Sequence, residues 1–319
     1  MWAALALLIV ALAAFAVWRW AVAAGSAATL EWIDARFPRD GAVRLAASGS
    51  YGAHRAQRAE LWVPVGQAFA EPAGGDAGPI RHPLVVFVHG GAWRIGAPEE
   101  YRFVARTLGE AGFATALVGY RLGPEGRFPA MLEDTAAGIA WARERAGGAG
   151  VRADRIALSG HSAGAYNVLM MGLDPQWLAS AKVPPETIGG IVSLAGPADF
   201  YPFTSDSAKN AMGHVAEPRT TQPVAFASAD APPMLLLHGT EDTVVRVRNA
   251  RRLAAAIRKA GGAVEVREFE GMGHAGVIMG LSKPFAQGGI VRDPMVAFLR
   301  RTTDPAPSGA SVPVQRETR

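Results

Sequence analysis

The sequence predicts an α/β fold, with a mostly parallel central sheet and helices on both of its faces. Short continuous apolar runs recur at 83–89 (PLVVFVH), 113–120 (FATALVGY), 190–196 (GIVSLAG) and 233–238 (PMLLLH), the pattern of strands buried on both faces. Between them lie stretches of helical periodicity, and alternation of that kind builds parallel sheets. At 319 residues, half of them hydrophobic, the chain is long enough for one large domain or two small ones.

Charge and cysteine content narrow the function classes. The net charge is +4 and the basic residues are scattered, so no nucleic-acid footprint is expected. With no cysteine, disulfides, thiolate chemistry and cysteine-ligated metal are excluded. No H-x-H or H-E-x-x-H pattern occurs, and neither a metal site nor a cofactor is expected.

From the start, 2–18 carries no charge, and the apolar character resumes after Arg19. Trp2, Trp18 and Trp20 stand near the ends of this stretch, where interfacial rings are favoured. Residues 1–24 are expected to act as a membrane anchor, the protein then being membrane-associated on an unassigned side. The competing expectation is a cleaved signal peptide and an exported or periplasmic protein, with small-residue sites at 21–23 and 26–28. A lead-in follows over 25–54, including a short amphipathic helix at 29–37 stopped before Pro38. The catalytic domain is expected over 55–303 and a disordered tail over 304–319.

Within that domain, 56–63 reads as a strand and 70–79 as a Gly- and Pro-rich loop. The run at 83–89 leads into His89-Gly90-Gly91-Ala92-Trp93, where adjacent glycines let a backbone turn and present free N–H groups. A helix is expected at 99–111 with Gly112 as its cap, and another at 129–145. In the latter, Asp134 is read as a structural cap or salt-bridge residue.

The stretch 155–171 (RIALSGHSAGAYNVLMM) runs from an apolar strand through Gly160-His161-Ser162-Ala163-Gly164 into a helix. A strand, a tight Gly corner and a helix make the context of a nucleophile elbow, with Ser162 on the turn. After the strand at 190–196, 201–230 has no strong period and is expected to wall the pocket as a partial lid. Trp93, Phe200 and Tyr201 are candidate pocket residues. Asp242 follows the strand at 233–238 and is placed to orient an imidazole, with Glu241 and Asp199 as competitors. A helix at 249–259 and an alternating outer strand at 264–269 precede His274 in a Gly-rich loop. The other histidines are read as structural. Ser162, Asp242 and His274 thus fall in the order nucleophile, acid, base, each beyond a strand end.

These motifs together resemble the α/β-hydrolase superfamily, in its HGG-motif carboxylesterase and lipase branch. The chain is similar to hormone-sensitive-lipase-like esterases and to the feruloyl-esterase and arylformamidase-like group with HGG-x-W. The resemblance covers about 55–300, through His89–Trp93, Tyr120-Arg121-Leu122, Gly160–Gly164, His238–Asp242 and Gly273-His274. It implies backbone oxyanion donors at Gly91, Ala92 and Ala163. Ala92 stands where lipases carry a third glycine; an N–H survives there, and its Cβ, with Trp93 behind, narrows the acyl side. The implied function is a serine carboxylic-ester hydrolase acting on small acyl or aryl esters. An arylformamidase or other small-amide hydrolase with the same triad is the alternative, and a non-catalytic binding protein is a weaker one. The partner is in each case a small-molecule ester or amide.

Overall fold

The computed structural model describes residues 26–66 and 81–303. The hydrophobic segment expected at 1–24, the loop at 70–79 and the tail at 304–319 lie outside them. Eight strands form one sheet in the order β1-β2-β4-β3-β5-β6-β7-β8. They are β1 (Ala42–Ser50), β2 (Arg58–Val65), β3 (His82–Val88), β4 (Ala114–Val118), β5 (Val151–His161), β6 (Ile188–Leu194), β7 (Met234–Gly239) and β8 (Val264–Phe269). The pairings of β1 with β2 and of β2 with β4 are antiparallel; the rest are parallel.

The sheet is covered on both faces. Alternate residues of a strand point to opposite sides, and β3 divides accordingly. Leu84, Val86 and Val88 face the side covered by α3 (Ala130–Ala146), with Met131, Leu132 and Ile139, and further along the sheet, over β7 and β8, by α7 (Arg248–Ala260), with Leu253 and Ile257. Val85 and Phe87 pack the other way, with Phe103 and Leu108 of α2 (Arg102–Glu110) and Met295, Phe298 and Leu299 of α9 (Arg292–Thr303). All seven residues of β3 are buried, which is why its sequence reads as unbroken apolar. β8 closes one edge, so half of its side chains meet solvent and its pattern alternates.

Three elements differ from expectation. β1 was not foreseen: its residues are small and mostly exposed, and it is defined by pairing with β2 rather than by an apolar face. The helix expected at 99–111 is a 3-10 turn, Pro98–Tyr101, followed by α2, with Tyr101 breaking helical geometry between them. The stretch 174–185, which reads from its sequence as a short polar excursion with no helix of its own, contains α5 (Gln176–Ser180), which buries Trp177 and Leu178.

The membrane anchor is corrected. A span needs about 20 apolar residues, and among the described residues no helix is long and apolar enough to cross a membrane. The longest of them, α3, carries five charged side chains, Glu133, Asp134, Arg143, Glu144 and Arg145. Membrane association and an anchored location therefore have no support among the described residues.

At the start of the described chain, α1 (Ala27–Asp34) is pinned to the domain by buried charge. Asp34, fully buried, accepts hydrogen bonds from Arg39 (2.7 and 2.8 Å), Arg106 (2.8 and 3.0 Å), Ser282 Oγ (3.0 Å) and the Lys283 N–H (2.8 Å). Burial alone would raise its pKa; the Arg39 and Arg106 hydrogen bonds outweigh that and hold it below the ordinary value. Asp134 is the structural carboxylate expected of it, accepting from the Arg121 N–H (2.8 Å) and guanidinium (2.7 Å) and from Gln57 (2.7 Å).

Candidate active site

The carboxyl ends of β3, β5, β7 and β8 bring the sequence-predicted residues to one edge of the sheet. β5 ends at His161 and α4 (Ala163–Leu173) begins at Ala163, leaving Ser162 alone on the corner. Its backbone sits at φ 53°, ψ −118°, a conformation costing on the order of 1–3 kcal/mol. The corner is held by the Ser162 N–H donating to Leu194 O at 2.9 Å, which ties it to the end of β6. Its glycines are sterically required. A Cβ on Gly164 would stand 2.1 Å from Val88 O, and one on Gly160 would stand 2.5 Å from the Gly164 carbonyl.

His274 is the first residue of α8 (His274–Met279) rather than a loop residue. Its Nε2 lies 2.9 Å from Ser162 Oγ and its Nδ1 lies 2.7 Å from Asp242 Oδ2. Asp242, 4% exposed, also accepts the N–H groups of Val244 (2.9 Å) and Val245 (2.8 Å) on Oδ1. Burial raises its pKa, but hydrogen bonds from His238 and His274 and the Val245 N–H outweigh it and hold the carboxyl well below its usual range. An ionised carboxylate only accepts, so Nδ1 of His274 carries the proton and Nε2 is left to accept from Ser162.

Two histidines support the site: His238, expected as a hydrogen-bonded structural residue at a strand end, is one, and His161 was missed because its role arises from a chain crossing. His238 Nε2 donates to Val245 O at 2.6 Å and stands 3.3 Å from Asp242 Oδ2, steadying the acid loop from beneath. His161 packs its ring against His274, with centroids 5.0 Å apart. Burial, with a smaller contribution from His274, pushes its pKa down to about 3. It therefore stays neutral and adds no positive charge beside the His274 imidazole.

Facing Ser162 is the loop after β3. Gly91 has φ 117°, and a Cβ there would stand 1.9 Å from Ile95 O, so only glycine fits. Ala92 (φ 54°) and Trp93 (φ 57°) follow in left-handed conformation, and Gly91 O accepts from Arg94 N (3.0 Å) and Ile95 N (3.1 Å). Ala92, Trp93, Ser162, Ala163 and Phe200 share one open cavity of about 420 Å³. Trp93 is locked by its Nε1–H to Asn167 Oδ1 (3.3 Å) and by an edge contact with Tyr166. Gly91 lies one residue behind the cavity wall. Tyr201 is half-exposed against Phe203 and does not line the cavity. Two polar side chains hold the chain after β6 in place. Asn249 Oδ1 accepts the N–H groups of Ala198 and Asp199, and Gln222 Oε1 accepts those of Phe200 and Tyr201.

A serine on a strained strand-to-helix corner, bonded to a histidine that is bonded to a buried aspartate, is an arrangement of the α/β-hydrolase esterase fold. The BD-FAE family model matches residues 75–257, more than half of the chain, and the chain belongs to that family. Among curated proteins it is 30% identical over 212 residues to Esterase LipC of Mycobacterium tuberculosis, covering 60% of this chain and 52% of that one. It is 29% identical over 214 residues to Esterase LipQ of the same organism, covering 61% and 50%. The chain spans about half the length of these curated relatives. Of solved structures, Esterase B from Lactobacillus rhamnosus has a TM-score of 0.69 at 16% identity, over 90% of this chain and 94% of that one. Esterase 2 of Thermogutta terrifontis has 0.63 at 24%, over 83% and 95%. At such identities the structures establish the shared fold.

Proposed function

We propose that the protein is a serine carboxylic-ester hydrolase of the HGG-motif branch, acting on small acyl or aryl esters. The observation that carries this reading is the continuous hydrogen-bond line from Ser162 Oγ through His274 to Asp242, 2.9 and 2.7 Å, opening on the cavity. Esterase relatives and membership of the BD-FAE family support it.

In this reading Ser162 Oγ attacks the ester carbonyl carbon as its proton passes to His274 Nε2. The carbonyl oxygen becomes an oxyanion that takes hydrogen bonds from the N–H groups of Gly91, Ala92 and Ala163. Ala163 is the first residue of α4, where a helix leaves its N–H unpaired. Collapse of the intermediate breaks the ester bond, and His274 returns the proton to the leaving alkoxide. Water, deprotonated by His274, then attacks the acyl-enzyme to release a carboxylic acid and free Ser162. Trp93 and Phe200 line the substrate pocket. The catalytic unit is assigned to 55–303, with 201–230 as its partial lid; Thr204, Ser205 and Ser207 of that segment reach the cavity.

The test is turnover of p-nitrophenyl esters from acetate to laurate, alongside N-formylkynurenine, by the protein and by Ser162→Ala. Short-chain ester turnover is expected, with a loss in the variant of roughly 10³-fold or more. Ester turnover that survives in Ser162→Ala would contradict the reading. Formamide turnover with poor ester turnover would replace it with a formamidase.

A further inference from the structure

The cavity that holds Ser162 has one charged side. Arg246 and Arg248 both line it, both are exposed, and neither forms an ion pair among the described residues. No acidic side chain shares the wall. The carboxylates nearby are committed elsewhere or turned away. Asp199 is held by Arg252 at 2.8 Å and Asp242 by His274. The Asp206 side chain is 90% exposed, 3.9 Å from Lys209.

The placement of these arginines follows from the triad. They sit four and six residues beyond Asp242, Arg246 on the loop whose Val244 and Val245 N–H groups are bonded to the Asp242 carboxylate and Arg248 at the first position of α7. The same carboxylate holds His274, which must reach the leaving oxygen to protonate it. The acid-loop side of the cavity is therefore the leaving-group side. The same wall carries the hydroxyls of Thr243, Ser205 and Ser207 beside the apolar Val244 and Val245.

We propose that Arg246 and Arg248 recognise a carboxylate carried by the leaving alcohol, so that the preferred substrates are esters of hydroxy acids with the negative charge retained on the departing half. This rests on the esterase reading and specifies its substrate. A planar guanidinium presents paired donors that match a carboxylate. Two of them over a concave wall raise the local concentration of an anionic substrate before any chemistry occurs.

The experiment compares para-acetoxybenzoate with its neutral analogue para-acetoxybenzamide, in the wild-type protein, Arg246→Gln/Arg248→Gln and Arg246→Lys/Arg248→Lys, each at low and high salt. Hydrolysis gives acetate and the corresponding phenol in each case. The wild type is expected to favour the benzoate through KM, and the ratio of kcat/KM for benzoate over benzamide should fall roughly ten-fold in the double Gln variant, as two exposed charge contacts would give. The double Lys variant should keep part of that ratio, and high salt should lower it in the wild type and the double Lys variant but not in the double Gln variant. A ratio that is the same in wild type and double Gln variant would overturn the proposal while brisk turnover of both acetates left the esterase reading in place. Absence of turnover of both would overturn the esterase reading and this proposal with it.

Discussion

At the scale of single residues, the site depends on groups that hold other groups still. Asp242 accepts from His274 and from two backbone N–H groups, so its charge and its position are fixed together. Asp242→Asn keeps the shape but lets Nδ1 of His274 lose its proton to the wrong tautomer. It should lower kcat roughly 10⁴-fold while changing KM little, as read by steady-state kinetics. Gly164 is constrained by contact instead: a Cβ would overlap Val88 O. Gly164→Ala should destabilise the fold by about 1–3 kcal/mol, read as a lower urea midpoint. Ser162, Asp242 and His274 were legible because a Gly-flanked serine and polar residues just past apolar strands leave local marks. His161, Asn249 and Gln222 were not. Each acts on a residue brought to it by the fold, and nothing in its immediate neighbours announces that.

At the scale of elements, local pattern and tertiary contact divide the work. The buried parallel strands were legible as apolar runs, since both faces of each are covered. β1 was not: with most of its side chains in solvent, its backbone pairing to β2 is the organising contact, and pairing leaves no mark in sequence. α7 is legible by its stripe of Ala250, Leu253, Ala254 and Ile257, and by Gly261 beyond it at φ 90°. Leu253→Ala should cost about 2–5 kcal/mol, because the site lies between helix and sheet with no solvent to fill it. The tie from α1 to α2 is of the opposite kind. Asp34 and Arg106 are far apart in sequence, so their bond is invisible before folding. Asp34→Ala would leave Arg39, also largely buried, and Arg106 without their shared partner, and should cost about 3–5 kcal/mol in chemical denaturation.

For the whole molecule, acid should weaken the fold in two stages. His89 and His161 are buried and neutral; burial lowers their pKa values to about 4 and about 3. In the unfolded chain a histidine protonates near about 6.5. Below that pH the unfolded state binds more protons than the native one, so stability is full above it and falls as the pH drops toward the folded values. Asp34 and Asp242, with lowered carboxyl pKa values, contribute stability above the ordinary carboxylate range and lose it as the pH falls further. Thermal unfolding followed from neutral pH downward should show Tm declining from about pH 6.5, with a shallower slope for His161→Asn. An unchanged Tm down to the carboxylate range would show that these rings are not buried neutral. The fold class was legible along the whole chain because alternating buried strands and helices leave a repeated pattern. The shape of the cavity was not, since it is assembled from loops after β3, β5, β6 and β7 that share no sequence pattern.

The central claim is that Ser162 is an activated nucleophile. Labelling with a fluorophosphonate, followed by mass mapping of the modified peptide, tests it most directly. The account predicts one label per chain, on Ser162, absent in Ser162→Ala and slowed in Asp242→Asn. An unlabelled protein, or a label on any other residue, would contradict it.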